Sequence, residues 1–197
     1  MILSGLLAFA RRVQFIEDPA TVLERAVDVV QIATRAAWVA AYTWTEAGVL
    51  TRTAASGEIP FGTPDTVDDD DPTLVVLRSE RIALEGAEDS LLAGALVLPF
   101  VTGGGITGLI AVGPGLEPYA LVDREAIHAV ASATGLALES LQARALRKEL
   151  EHWRDRAEWA ERELGLLQRV LTRAAYAPGS DAAGGSLAGN ESASLLS

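Results

Sequence analysis

The strongest structural signal in the chain is the stretch Gly94-Ala95-Leu96-Val97-Leu98-Pro99-Phe100-Val101-Thr102-Gly103-Gly104-Gly105-Ile106-Thr107-Gly108-Leu109-Ile110-Ala111-Val112-Gly113. Two apolar runs, 94–102 and 106–113, flank three consecutive glycines, which predicts two buried strands joined by a tight turn. The spacing of Gly103, Gly105 and Gly108 also fits a dinucleotide-binding loop, but that loop needs a helix directly after the glycines. A strand follows here, so we expect a β-hairpin.

A second hairpin is predicted upstream, over residues 38–55. Side chains alternate across it as on a pleated strand, and Glu46-Ala47-Gly48 supplies the turn. The preceding residues have a helical period instead, and Asp18-Pro19 is a typical helix start. The helix should end near Ala36, and its core-facing stripe consists of Val22, Leu23, Ala26, Val27, Val30 and Ala33.

Residues 1–17 are predicted to form an N-terminal amphipathic helix with the stripe Leu3, Leu6, Ala10 and Val13. Because Ile2, Leu7 and Phe9 widen the apolar face, an interfacial membrane anchor remains an alternative. The positive charges Arg11 and Arg12 follow the apolar run, which is the wrong order for a secretory signal. No stretch has the length of a membrane span, and we expect a cytoplasmic protein.

The segment between the hairpins is predicted to be mostly irregular. Pro60, Gly62 and Pro64 interrupt it, and an acidic run, 68–71, follows. Four consecutive aspartates could collect a divalent cation, but they lack the ligand spacing and central glycine of a calcium loop. We interpret them as a solvated loop in which Asp71-Pro72 begins a short helix through Arg78, and we expect a brief strand over 81–85.

A helix of about fifty residues is predicted after Tyr119, well beyond the usual length in globular proteins. Ile127, Val130, Ala131, Thr134 and Leu138 can cover a sheet, and residues 143–173 continue as a coiled coil. Opposite charges at facing positions favour a parallel homodimer, and a helix folded back on its own domain is the alternative. The predicted dimer interface consists of Leu146, Leu150, Trp153, Ala157, Ala160, Leu164, Leu167 and Leu171. Residues 174–197 are mostly Gly, Ser and Ala and are expected to be a disordered tail.

Composition excludes several classes of function. The 197 residues include no Cys, which rules out disulfides, cysteine nucleophiles and thiolate metal sites. The net charge of −11 argues against binding to nucleic acid, since such proteins normally carry a basic face.

The order of these elements resembles that of a GAF domain, a small-ligand sensory fold, over about residues 1–145. Three segments carry the likeness: the helix 18–27, the strand pair Leu96-Val97-Leu98-Pro99-Phe100 with Ile106-Thr107-Gly108-Leu109-Ile110-Ala111-Val112, and Pro118-Tyr119-Ala120-Leu121-Val122-Asp123 at the entry to the last helix. Leu136-Ala137-Leu138-Glu139 resembles the exit of that helix. The resemblance implies an α+β fold, with a central antiparallel sheet and the first, second and last helices on one face, and a GAF-like domain over 18–142.

The resemblance also implies that any ligand lies on the opposite face, under the segment 56–78. The candidate ligand-binding residues are Trp38, Tyr42, Trp44, Phe61 and Thr73. Reductases and bilin receptors of this fold rely on cysteine, which is absent. The Asn-Lys pattern of cyclic-nucleotide binders is also missing, because the only Asn and Lys are Asn190 and Lys148.

No catalytic constellation is predicted. His128 and His152 are the only imidazoles, and neither has the neighbours of a catalytic or haem-ligating histidine. We therefore expect no enzyme activity, no cofactor and no metal. The predicted function is a dimeric sensory or regulatory module that signals to a separate partner protein, with a small molecule as candidate ligand. A structural adaptor with a degenerate, ligand-free GAF fold is the alternative.

Overall fold

The computed structural model describes residues 2–45, 48–115 and 118–175. Two of the expected features therefore lie outside the described residues: most of the 46–48 turn, and nearly all of the tail. The chain divides into two compact units, residues 1–147 and 148–197, and we call the first unit the body.

The body contains a six-stranded sheet and four helices, the last of which continues into the second unit. Along the chain they are α1 (Ile2–Arg12), a 3-10 turn (Val13–Phe15), α2 (Pro19–Thr34), β1 (Trp38–Trp44), β2 (Leu50–Gly57), β3 (Thr66–Val67), α3 (Pro72–Glu80), β4 (Leu84–Glu85), β5 (Leu96–Thr102), β6 (Gly105–Val112) and α4 (Leu121–Ala175). The strand order is β3-β2-β1-β6-β5-β4, and all neighbours are antiparallel. The predicted α+β fold class is confirmed.

Helices α1, α2 and α4 pack on one face of the sheet, as predicted. All six residues of the predicted α2 stripe are buried, and in α4 the side chains of Ile127, Val130, Ala131 and Thr134 are fully buried. The strands contribute alternate residues to this first core, which are Val39, Ala41, Ala54, Leu96, Leu98, Phe100, Ile110 and Val112. Leu6 of α1 and Val13 of the 3-10 turn are buried as expected, Phe9 of α1 is buried with them, and Ala10 is half-buried. The side chain of Leu3 lies outside those that the structure describes.

The other strand residues form a second core on the opposite face. Strand residues Ala40, Tyr42, Val97, Leu109 and Ala111 meet Leu74 and Leu77 of α3 and Leu92 of the loop before β5. Since successive residues of a strand point to opposite faces, this alternation divides the apolar side chains of each central strand between two cores.

The hairpin at residues 94–113 forms as predicted. Thr102 pairs with Gly105, whose φ of +128° is available to glycine at little cost. Gly108 is required for a different reason. A Cβ atom at this position would lie 2.4 Å from the carbonyl oxygen of Tyr42, so glycine allows β6 to approach β1.

Three short elements differ from the prediction. Strand β3 was not predicted, α3 extends to Glu80 instead of Arg78, and β4 contains only Leu84 and Glu85 of the expected 81–85. Two-residue strands are too short to give an alternating sequence pattern, and their positions depend on the neighbouring strand.

Asp71 ties α3 to the loop that precedes β5. Its carboxylate accepts hydrogen bonds from the Thr73 amide at 2.9 Å, the Ser90 hydroxyl at 2.7 Å and the Leu91 amide at 3.0 Å. The side chain is almost completely buried, so each of these partners would lack an acceptor without it. One residue of the acidic run is thus a structural anchor for the second face.

Replacing Asp71 with Ala should lower the free energy of unfolding by about 2–3 kcal/mol, because the change removes a helix cap and leaves buried donors unpaired. Chemical denaturation followed by circular dichroism measures the loss. Asp70→Ala is the matched control, since Asp70 is exposed in the same run. Equal losses for the two variants would contradict the anchoring role of Asp71.

Candidate functional site

Four of the five candidate ligand residues lie on the second face of the sheet or in its cover. Trp38 and Tyr42 are buried in the second core, Trp44 is partly buried against it, and Thr73 is buried in the first turn of α3. Phe61 is not brought to them, because its side chain is fully exposed. Whether these residues bind a ligand stays a prediction.

The candidate residues already have partners within the protein. The Tyr42 hydroxyl donates to the carbonyl oxygen of Pro64 at 3.0 Å, and the Thr73 hydroxyl accepts from the Ala87 amide at 3.0 Å. The Arg78 guanidinium stacks on the Trp44 ring at 4.7 Å from its centroid. In this conformation the aromatic side chains therefore serve as packing and anchoring groups of the second face.

Two ion pairs hold residues 65–69 beside these aromatics. Arg52 of β2 pairs with Asp65, and Arg78 of α3 pairs with Asp69. The Arg78 guanidinium holds the pKa of Asp69 below its usual range. Both carboxylates are largely exposed, so each pair adds little stability, but together they flank β3 on either side.

Sequence reasoning did not identify Arg52, Asp65 and Arg78. The two pairs join residues thirteen and nine positions apart across irregular chain, where no period indicates which side chains meet. One guanidinium nitrogen of Arg52, Nη1, is buried without a hydrogen-bond partner among the described residues. A buried donor of this kind can bind a water molecule or a ligand oxygen.

Two surface grooves of about 310 Å³ lie elsewhere on the body. One runs between α1 and α2 and is lined by apolar residues with Arg12, Arg25 and Asp28. The other lies beside Tyr119, where the Arg124 guanidinium bonds Glu85 at 2.8 Å and the Tyr119 carbonyl oxygen at 3.3 Å. None of the five candidate ligand residues lines either groove.

The described parts of the chain contain no arrangement of side chains suited to catalysis or metal binding. His128 and His152 are exposed on α4. The aspartates of the acidic run have separate roles, since Asp71 caps α3 and Asp69 pairs with Arg78. The described residues contain no cluster of three potential metal ligands. No helix that the structure describes is long and apolar enough to span a bilayer.

The predicted dimer interface is exposed along α4. The leucines at 146, 150, 164, 167 and 171 are each more than half exposed, as is Trp153, and Ala157 and Ala160 are exposed as well. The Arg156 guanidinium lies over the Trp153 ring at 5.3 Å. Whether a second copy covers these residues stays a prediction.

Comparison with solved structures identifies the fold. A GAF domain/HD domain protein from Geobacter sulfurreducens matches with a TM-score of 0.56 and 16% identity, over 67% of this chain and 99% of the other. The chain has a GAF fold. The GAF architecture predicted from the sequence is thereby confirmed, together with the long C-terminal helix.

Two further similar structures illustrate how differently GAF folds are used. Free methionine-R-sulfoxide reductase from Neisseria meningitidis, solved with its substrate, matches with a TM-score of 0.58 and 14% identity, over 70% of this chain and 88% of the other. A bacteriophytochrome from R. palustris matches with a TM-score of 0.58 and 14% identity, over 73% of this chain and 38% of the other. No protein-family profile and no curated protein matches the sequence. Identities this low establish the GAF fold alone.

Tyr42 allows a test of the second face by mutation and pH. Tyr42→Phe should lower the free energy of unfolding by about 1 kcal/mol at neutral pH, because the bond to Pro64 is lost. Burial raises the pKa of Tyr42 above its usual 10.0, and the neighbouring Arg52 guanidinium partly opposes the rise. Because folding raises the pKa of this phenol, its protonated form contributes to the free energy of unfolding. That contribution is fully present below the pKa that Tyr42 has in the unfolded chain, and it is lost as the pH rises through the pKa that Tyr42 has in the folded protein.

Denaturation curves at neutral pH and above pH 10 measure both effects. The variant should lose less stability than the wild type on going to alkaline pH. Tyr119 serves as an internal reference, since burial also raises its pKa and it is present in both proteins. Identical alkaline losses in the two proteins would contradict a buried, hydrogen-bonded phenol at position 42.

Proposed function

We propose that this chain is a cytoplasmic, non-catalytic sensory or regulatory GAF module that forms a parallel homodimer through its terminal helices and signals to a separate partner protein. The observation that carries the proposal is the exposed heptad seam of α4. Its leucines and Trp153 present apolar surface to solvent at positions a and d over about seven helical turns.

The regulatory part of the proposal draws on the similar structures. GAF folds occur in a bacteriophytochrome and in the GAF domain/HD domain protein from Geobacter sulfurreducens. The Neisseria reductase shows that the fold also occurs in an enzyme. This chain has no Cys, so it cannot use a cysteine thiolate as a nucleophile or redox group.

Burial of the seam supplies the affinity for dimerisation. With Leu150, Ala157, Leu164 and Leu171 at a, the d positions hold Leu146, Trp153, Ala160 and Leu167. Burying one leucine is worth about 1.5–3 kcal/mol, so the five seam leucines of each helix outweigh the entropy lost on association. The small Ala157 and Ala160 leave room beside the bulky Trp153.

Charges beside the seam favour the parallel orientation. In a parallel pair Glu149 faces Arg154 of the second copy and Arg156 faces Glu161, and both pairs are opposite in sign. Within one helix Arg154 already approaches Glu158 at 3.4 Å. The interhelical pairs therefore compete with a local one and contribute only a few tenths of a kcal/mol each, which is enough to select an orientation.

The alternative, a structural adaptor with a ligand-free GAF fold, is favoured by the packing of the second face. Tyr42 and Thr73 are fully buried and hydrogen-bonded there. Native mass spectrometry of the purified protein separates the two functions. A small molecule retained by the wild type favours the sensory module, whereas a bare polypeptide mass favours the adaptor.

Sedimentation equilibrium tests the homodimer. The wild type should sediment as a dimer at micromolar concentration, and Leu164→Glu should shift it toward monomer, because a charge at an a position would be buried in the seam. Leu166→Glu is the matched control at position c, outside the seam, and should leave the dimer intact.

A wild-type monomer at high micromolar concentration would contradict the proposed dimer. So would equal effects of the two glutamates, since the seam would then not be the contact. Circular dichroism at the same concentrations verifies that both variants retain their helix content.

A further inference from the structure

We draw no further inference here: the strongest candidate, the exposed apolar side of α4 formed by Trp159, Leu166 and Val170, is bordered by glutamates as well as arginines, and nothing in the structure shows what covers it.

Discussion

The central strands of the body have apolar side chains on both faces, and the rest of the fold is arranged to cover them. In β1 the residues Trp38–Tyr42 are all buried, with Val39 and Ala41 facing the helices and Ala40 and Tyr42 facing α3. A register shift of one residue would exchange the two sets of side chains. Gly108 opposes such a shift, because only a residue without a side chain fits against the Tyr42 carbonyl.

The two cores are covered by different means. Long helices cover the first face and contribute a continuous apolar surface, so packing alone positions them. The second face is covered by the nine-residue α3 and by irregular chain, which bury less, and hydrogen bonds to Asp71, Thr73 and Tyr42 fix these segments in place. A ligand that displaced the Tyr42 hydroxyl would release the Pro64 carbonyl oxygen, which belongs to this cover. Occupation of the second face would therefore be coupled to the position of the cover, which a regulatory module requires and an adaptor does not.

The sequence predicted those parts of the molecule that local periodicity determines. Six apolar residues at helical spacing identified the buried side of α2, and two apolar runs around three glycines identified the hairpin of β5 and β6. The anchors of the second face could not be found in this way. Asp71 looked like an N-cap, and it is one, but its bond to Ser90 spans nineteen residues and depends on the tertiary fold. Phe61 was assigned to the ligand site because it is an aromatic residue in the segment 56–78 expected to cover the second face. The sequence gives the same signal for an exposed aromatic residue in such a loop as for a buried one.

Helix α4 combines two apolar patterns that have different physical consequences. Between Ala126 and Leu138 one side of this helix is covered within the same chain, through Ile127, Val130 and Ala131, and the burial of these residues contributes to the stability of the body. From residue 144 to residue 173 every residue except Gly165 is exposed, so the apolar side chains there bury little surface in a single chain. Intrahelical pairs such as Arg162 with Glu158 add only a few tenths of a kcal/mol each to such a helix. If a second chain covers this segment, as we propose, association stabilises it, and its helicity and its occupancy by that chain should rise and fall together.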